Sequence, residues 1–144
     1  MTPAIDVVSD ANVALKWFHA EGEEGVESAR ALLDGQRERL VALRVLDLTP
    51  YEVGNALLRG RLGLSASRVA TVLGALGEIC PTITPTTDDF SEATTLAEAH
   101  HLTLYDAMYA AVARRRDAQL VTLDRELLRA GLGRRPSELV LDRS

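Results

Sequence analysis

Short runs of β-branched and aliphatic residues alternate along this chain with stretches whose apolar positions recur every three or four residues. Residues 5–9 read as a strand, and residues 11–19 follow with Val13, Leu15, Trp17 and Phe18 at helical spacing. Residues 23–33 place Val26, Ala29, Leu32 and Leu33 on one helical face, and Gly35 is expected to close that helix. Residues 40–43 form a candidate strand. Thr49, Pro50 and Glu52 then combine a capping hydroxyl, a proline at the first helical position and a glutamate three residues after the cap, which predicts a helix to about Arg61. Residues 65–79 continue with Val69, Val72, Leu73, Leu76 and Ile79 on one face of an amphipathic helix.

The second half repeats the exchange. Pro81 and Pro85 bracket a short strand around Ile83, and residues 88–101 resume a helix rich in Ala, Glu and Leu. Thr103 and Asp106 repeat the capping pattern ahead of a helix over 107–116, residues 119–122 form a strand, and 124–130 a short helix. Val140 is a candidate for a last edge strand. Strands alternating with helices predict an α/β fold: a mostly parallel sheet of four to five strands, flanked by helices on both faces and joined by right-handed crossovers. At 144 residues, one domain (1–144) is expected.

Composition narrows the class. With 47% hydrophobic and 26% charged residues the chain is globular rather than disordered. No apolar stretch approaches the roughly 20 residues of a membrane-spanning helix. The first residues lack the features of a signal peptide and Cys80 is the only cysteine, so a cytoplasmic location is expected, with no disulfide within the chain. A formal net charge of −5 argues against binding nucleic acid through a general positive field. Carboxylates that hold divalent cations, however, become a neutral or positive surface locally.

That possibility directs attention to particular acids. In open parallel sheets, ligands bind outside the carboxyl ends of the strands. Asp10 directly follows the first strand and Asp124 follows the strand at 119–122, while Glu52 and Asp106 lie in the first turns of their helices. Gathered without a counter-ion these charges would repel, and Mg²⁺ or Mn²⁺ is what hard oxygen ligands select. Each acid also has an ordinary role: Glu52 and Asp106 as third members of capping boxes, Asp10 and Asp124 as helix caps. Asn12 and Thr122 stand close enough in sequence to orient Asp10 and Asp124, and Asn55 shares a helical face with Glu52, although each also suits capping or a neighbouring helix. Lys16, the only lysine, and the run 114–116 are candidates for phosphate contact, against a solvated helix end for the run. Trp17 and Phe18 have the spacing of core or dimer packing, with base stacking the lesser alternative. His19, His100 and His101 form no metal-ligand pattern, and there is no Ser-His-Asp or P-loop signature.

Four local strings acquire further meaning when taken in order: Val8-Ser9-Asp10-Ala11-Asn12-Val13-Ala14-Leu15-Lys16-Trp17-Phe18, Tyr51-Glu52-Val53-Gly54-Asn55-Ala56-Leu57, Leu104-Tyr105-Asp106-Ala107-Met108-Tyr109-Ala110-Ala111 and Leu120-Val121-Thr122-Leu123-Asp124-Arg125-Glu126-Leu127. In order and spacing they resemble the motifs of PIN-domain nucleases, in particular VapC-type toxins, and the resemblance covers essentially the whole chain. It implies that Asp10, Glu52, Asp106 and Asp124 surround a Mg²⁺ or Mn²⁺ ion. It also implies a cytoplasmic endoribonuclease acting on RNA, paired with a small VapB-type antitoxin and dimeric. Unassigned apolar faces, such as Val69, Val72 and Leu76, are available for the dimer. Leu46 departs from the proline that many relatives carry before the second motif. A metal-dependent phosphatase is the enzymatic alternative, and a non-catalytic α/β module the other. A receiver-type module would need a second acid beside Asp10 and a lysine near the end, and neither is present.

Overall fold

The computed structural model describes residues 3–18, 25–60 and 63–141. Within them four strands, β1 (Ile5–Ser9), β2 (Val41–Leu46), β3 (Thr82–Ile83) and β4 (Gln119–Val121), form one sheet in the order β3-β2-β1-β4. Every pairing is parallel: Ile5 sits opposite Val41, Val8 opposite Leu120, and Leu46 opposite Ile83. The chain therefore steps outward from β1 through β2 to β3, then crosses to the other side of β1 for β4. This reversal places a topological switch point between β1 and β4, where the loops that follow the two strands part and leave a crevice.

Side chains alternate across the sheet, and the two faces collect separate cores. Val7, Leu43, Val45 and Val121 face α1 (Ala11–Leu15), α2 (Val26–Arg37), α3 (Thr49–Arg59) and α4 (Ala66–Ile79). Val8, Leu46 and Leu120 face α5 (Thr87–His100), α6 (Leu104–Arg115) and α7 (Arg125–Arg129). One residue's step along a strand changes the face, which is why Val7 and Val8 belong to different cores. Helix α6 is buried over seven consecutive residues, Ala107 to Ala113, between the sheet and α5. Its small side chains allow that close approach, and its N-terminal turn remains free to carry function.

Several expectations change. Gly35 does not end its helix, which continues to Arg37. A Cβ there would lie 3.0 Å from Leu141 Cδ1 and 3.1 Å from Val41 Cγ2, so this glycine serves close packing rather than termination. Strand β2 runs to Leu46 rather than 43, because Gln36 accepts from Leu43 N–H while the rest of the strand pairs with β1 and β3. Val140 lies in no strand and is exposed; a single bridge between Val121 and Arg134 takes the place of the expected edge strand, leaving four strands in the sheet. Thr49 is the first residue of α3 rather than its cap, and its side chain turns inward. His19, Glu23 and Arg61 lie outside the described residues.

Val69, Val72 and Leu76 do not form a free face: Val69 and Leu76 are buried and Val72 packs partly buried against the same core. Leu76→Ala should therefore cost about 2–5 kcal/mol by leaving a cavity. Denaturant unfolding should show that loss equally at low and high protein concentration, whereas a concentration-dependent loss would place Leu76 at a subunit interface.

Candidate active site

The crevice between β1 and β4 is built around Asp10. The residue caps α1, its Oδ1 accepting the Val13 N–H at 3.0 Å, while Oδ2 accepts the Thr122 hydroxyl at 2.5 Å. Thr122 stands just past β4 and also accepts the Asp124 N–H at 2.9 Å, so one hydroxyl ties the ends of the two strands together. Chain packing supports it from behind: a Cβ on Gly133 would come within 2.7 Å of Thr122 Cγ2. Asp124 caps α7, with Oδ1 accepting from the N–H groups of Glu126 and Leu127. The two capping roles read from sequence are thus both realised, yet each carboxylate keeps acceptor capacity beyond its cap.

Glu52 and Asp106 enter from the first turns of α3 and α6. Glu52 caps nothing. Its Oε1 accepts from the Tyr109 hydroxyl at 2.8 Å, because Thr49, the expected partner of a capping box, bonds to Leu46 N–H and to Tyr109 instead. Thr103 does cap α6, its hydroxyl accepting from Asp106 N–H at 3.1 Å, without a reciprocal bond from the Thr103 N–H to the Asp106 carboxylate.

These acids sense one another. Burial pushes Asp10 up to about 7 from an ordinary 3.8, against the lowering hydrogen bonds from Thr122 and Val13, and the charges of Asp106 and Asp124 add to the rise. Asp106 is raised by burial and then by Asp124, and Glu52 by burial and then, against the Tyr109 bond, by Asp106. Four carboxylates from four distant segments therefore occupy one electrostatic neighbourhood. It is an open one: among the described residues no three His, Cys, Asp or Glu side chains are already arranged as a metal cage. An all-oxygen set of this kind fits Mg²⁺ or Mn²⁺, since Mg²⁺ keeps several waters and takes one or two carboxylates rather than a full protein shell.

The remaining candidates separate. Asn12 and Asn55 are exposed, and neither bonds a carboxylate among the described residues. Asn12 instead joins Lys16, Arg125 and Arg135 around a groove of about 790 Å³ that is not lined by any of the four acids. The arginine run belongs elsewhere: Arg114 pairs with Glu92 and Arg115 with buried Asp89, at the far end of α6 from Asp106, a separation of roughly 12–15 Å along the helix. Trp17 is core, with Nε1 donating to Ala29 O at 2.9 Å, and Phe18 packs against the same cluster. Two site residues escaped the sequence reading, Tyr109 and Thr49. Tyr109 lies three residues after Asp106, a spacing that could have marked it, whereas Thr49 was concealed by its resemblance to a cap.

Comparison with known proteins identifies the family. The PIN domain family model matches residues 7–132. Ribonuclease VapC3 of Pyrobaculum aerophilum is 32% identical over 125 residues, spanning 84% of this chain and 91% of its own. A crystal structure from the same organism is 31% identical with a TM-score of 0.63, covering 87% of this chain and 78% of that one. A toxin-antitoxin complex from Klebsiella pneumoniae shares the fold at 18% identity and a TM-score of 0.64, over 92% of this chain and 99% of that one. The chain belongs to the PIN-domain family.

The raised Asp10 sets a sign for stability. Its folded value of about 7 exceeds the ordinary 3.8, so between the two the folded state binds more protons, and stability falls as pH rises through that window. In chelator, Asp10→Asn, which keeps the cap, should match the parent near pH 4 and exceed it at pH 8 by up to ~4 kcal/mol. Divalent cation should narrow the gap by stabilising the parent. Parallel unfolding curves at all pH values would show that Asp10 is not buried as described.

Proposed function

We propose that this chain is the toxin of a type II toxin-antitoxin pair, a Mg²⁺- or Mn²⁺-dependent endoribonuclease that opens RNA phosphodiesters with water in the cytoplasm. The observation that carries the proposal is the placement of Asp10 and Asp124 just past β1 and β4, at the switch point of the sheet, with Glu52 and Asp106 in the first turns of α3 and α6; the mutual influence of their charges supports it. Membership of the PIN family and the likeness to a protein named as a ribonuclease support it.

In this reading Asp10 and Asp106 are the principal metal ligands, Asp124 contributes through water or to a second ion, and Glu52 is a further ligand or the base that orients the attacking water. A bound divalent cation would supply a water of lowered pKa and neutralise charge on the phosphate. The protein supplies the geometry. Thr122 and Val13 N–H fix both oxygens of Asp10, the α7 backbone fixes Asp124, and Tyr109 fixes Glu52, so little reorganisation is needed when substrate arrives. No group on this list is a nucleophile with its own activating base, which favours direct attack by water over a covalent intermediate. Lys16, Arg125 and Arg135 line one groove, and in this reading they are the cations that would meet the flanking phosphates, despite the net charge of −5.

The partners are part of the same proposal: a small VapB-type antitoxin that covers the acidic crevice, and a second copy of the chain. For the second copy, the exposed side chains of Phe90, Leu104 and Tyr105 border an apolar groove of about 280 Å³ next to Asp106, a surface that association would remove from water.

Labelled total bacterial RNA incubated with antitoxin-free protein tests the reading. Discrete products are expected with Mg²⁺ or Mn²⁺ and none with chelator, and folded Asp10→Asn and Asp106→Asn variants should each lose about two orders of magnitude in rate. Cleavage that persists in chelator or in both variants contradicts it. Release of phosphate from small phosphomonoesters with RNA left intact would assign a phosphatase instead.

A further inference from the structure

Glu52 is held from behind by hydrogen bonds that run through buried groups. Leu46 N–H donates to Thr49 Oγ1 at 3.0 Å, the Thr49 and Tyr109 hydroxyls lie 2.7 Å apart, and Tyr109 donates to Glu52 Oε1 at 2.8 Å. Thr49 is 0% exposed and Tyr109 1%. Each hydroxyl has a single proton to give. With the Tyr109 proton directed at Glu52, the Thr49 proton must go to Tyr109, and the Thr49 oxygen receives Leu46 N–H. The direction of the chain is thereby fixed, from the backbone at the end of β2 to the carboxylate. Reversed, it would leave the Thr49 proton without an acceptor in this chain of bonds, and no buried side-chain polar atom among the described residues lacks a partner.

The chain also joins the elements that build the site. Leu46 ends β2, Thr49 and Glu52 begin α3, and Tyr109 lies in α6 one turn beyond Asp106. Only Oε1 of Glu52 is held; Oε2 has no hydrogen-bond partner among the described residues and is the carboxylate's open oxygen. Resting on the hydrolytic reading above, we propose that Tyr109 and Thr49 are positioning residues for the reaction, fixing one Glu52 oxygen so that the other would be presented to a divalent cation or to the attacking water. The same contacts in a purely structural role would stabilise the core and leave Glu52 indifferent.

Steady-state cleavage of a single-stranded RNA by the full chain, paired with crystal structures of the variants, separates the two. Tyr109→Phe keeps the ring and should lower kcat by about 10–100-fold with KM within about twofold. Thr49→Val should act in the same direction, and Thr49→Ser should recover most of what the valine loses. In a Glu52→Gln background, Tyr109→Phe should cost no further activity, since its effect passes through the carboxylate. The crystal structures should show one Glu52 rotamer in the parent and in Thr49→Ser, and several in Tyr109→Phe. Unchanged kcat in Tyr109→Phe, an equal loss in the Glu52→Gln background, or a single unchanged Glu52 rotamer would overturn the assignment. If the parent cleaves no RNA, the hydrolytic reading fails by itself, and the Glu52 rotamers still decide whether Tyr109 positions that carboxylate.

Discussion

A carboxylate sealed at the end of a strand paired on both sides is the constraint around which this molecule is arranged. Strand β1 lies between β2 and β4, so Asp10 cannot withdraw toward solvent without unpairing the centre of the sheet. At 4% exposure it carries a burial cost that its two hydrogen bonds only partly offset, as its elevated pKa records. Removing the Thr122 hydroxyl would leave one carboxylate oxygen without its donor and loosen the turn that presents Asp124. The cost is sustained by the cores on either face of the sheet. They also determine where α3 and α6 begin, and hence where Glu52 and Asp106 enter.

The distribution of charge follows from the same arrangement. Carboxylates in the first turn of a helix are favoured by the helix dipole, so Glu52 and Asp106 are locally acceptable although they are mutually repulsive. Asp10 and Asp124 each give an oxygen to a backbone cap, which reduces what their approach costs. The cations are segregated: Lys16, Arg125 and Arg135 share one groove, whereas Arg114 and Arg115 are engaged with α5 at the end of α6 distant from Asp106. A net charge of −5 is therefore compatible with a locally mixed field in which a phosphodiester meets both signs.

Much of this was legible in the sequence because the pattern was strong where tertiary structure had little to override. Strand β1 has the bounds its β-branched run suggested, and α4 ends at Ile79 as its apolar spacing implied. The four acids could be singled out because each follows a strand or opens a helix in a fold whose ligand crevice lies at that edge. What failed was local chemistry reinterpreted by long-range contacts. Gly35 resembled a helix terminus but answers to the approach of Val41 and Leu141, and Thr49 resembled a cap but answers to Tyr109, sixty residues away. Asn12 and Asn55 were near the acids in sequence and remain at the surface, since proximity along a helix does not decide which way an exposed amide turns. The arginine run was conspicuous only because its partners, Asp89 and Glu92, sit on another helix.

The most direct test of the central claim, that these acids form a cation site, is an anomalous difference map from crystals soaked in Mn²⁺. A peak is expected within coordinating distance of the Asp10 and Asp106 oxygens, disappearing in Asp106→Asn crystals. A well-ordered crevice with no peak at saturating Mn²⁺, or an ion bound elsewhere that ignores the substitution, would contradict it.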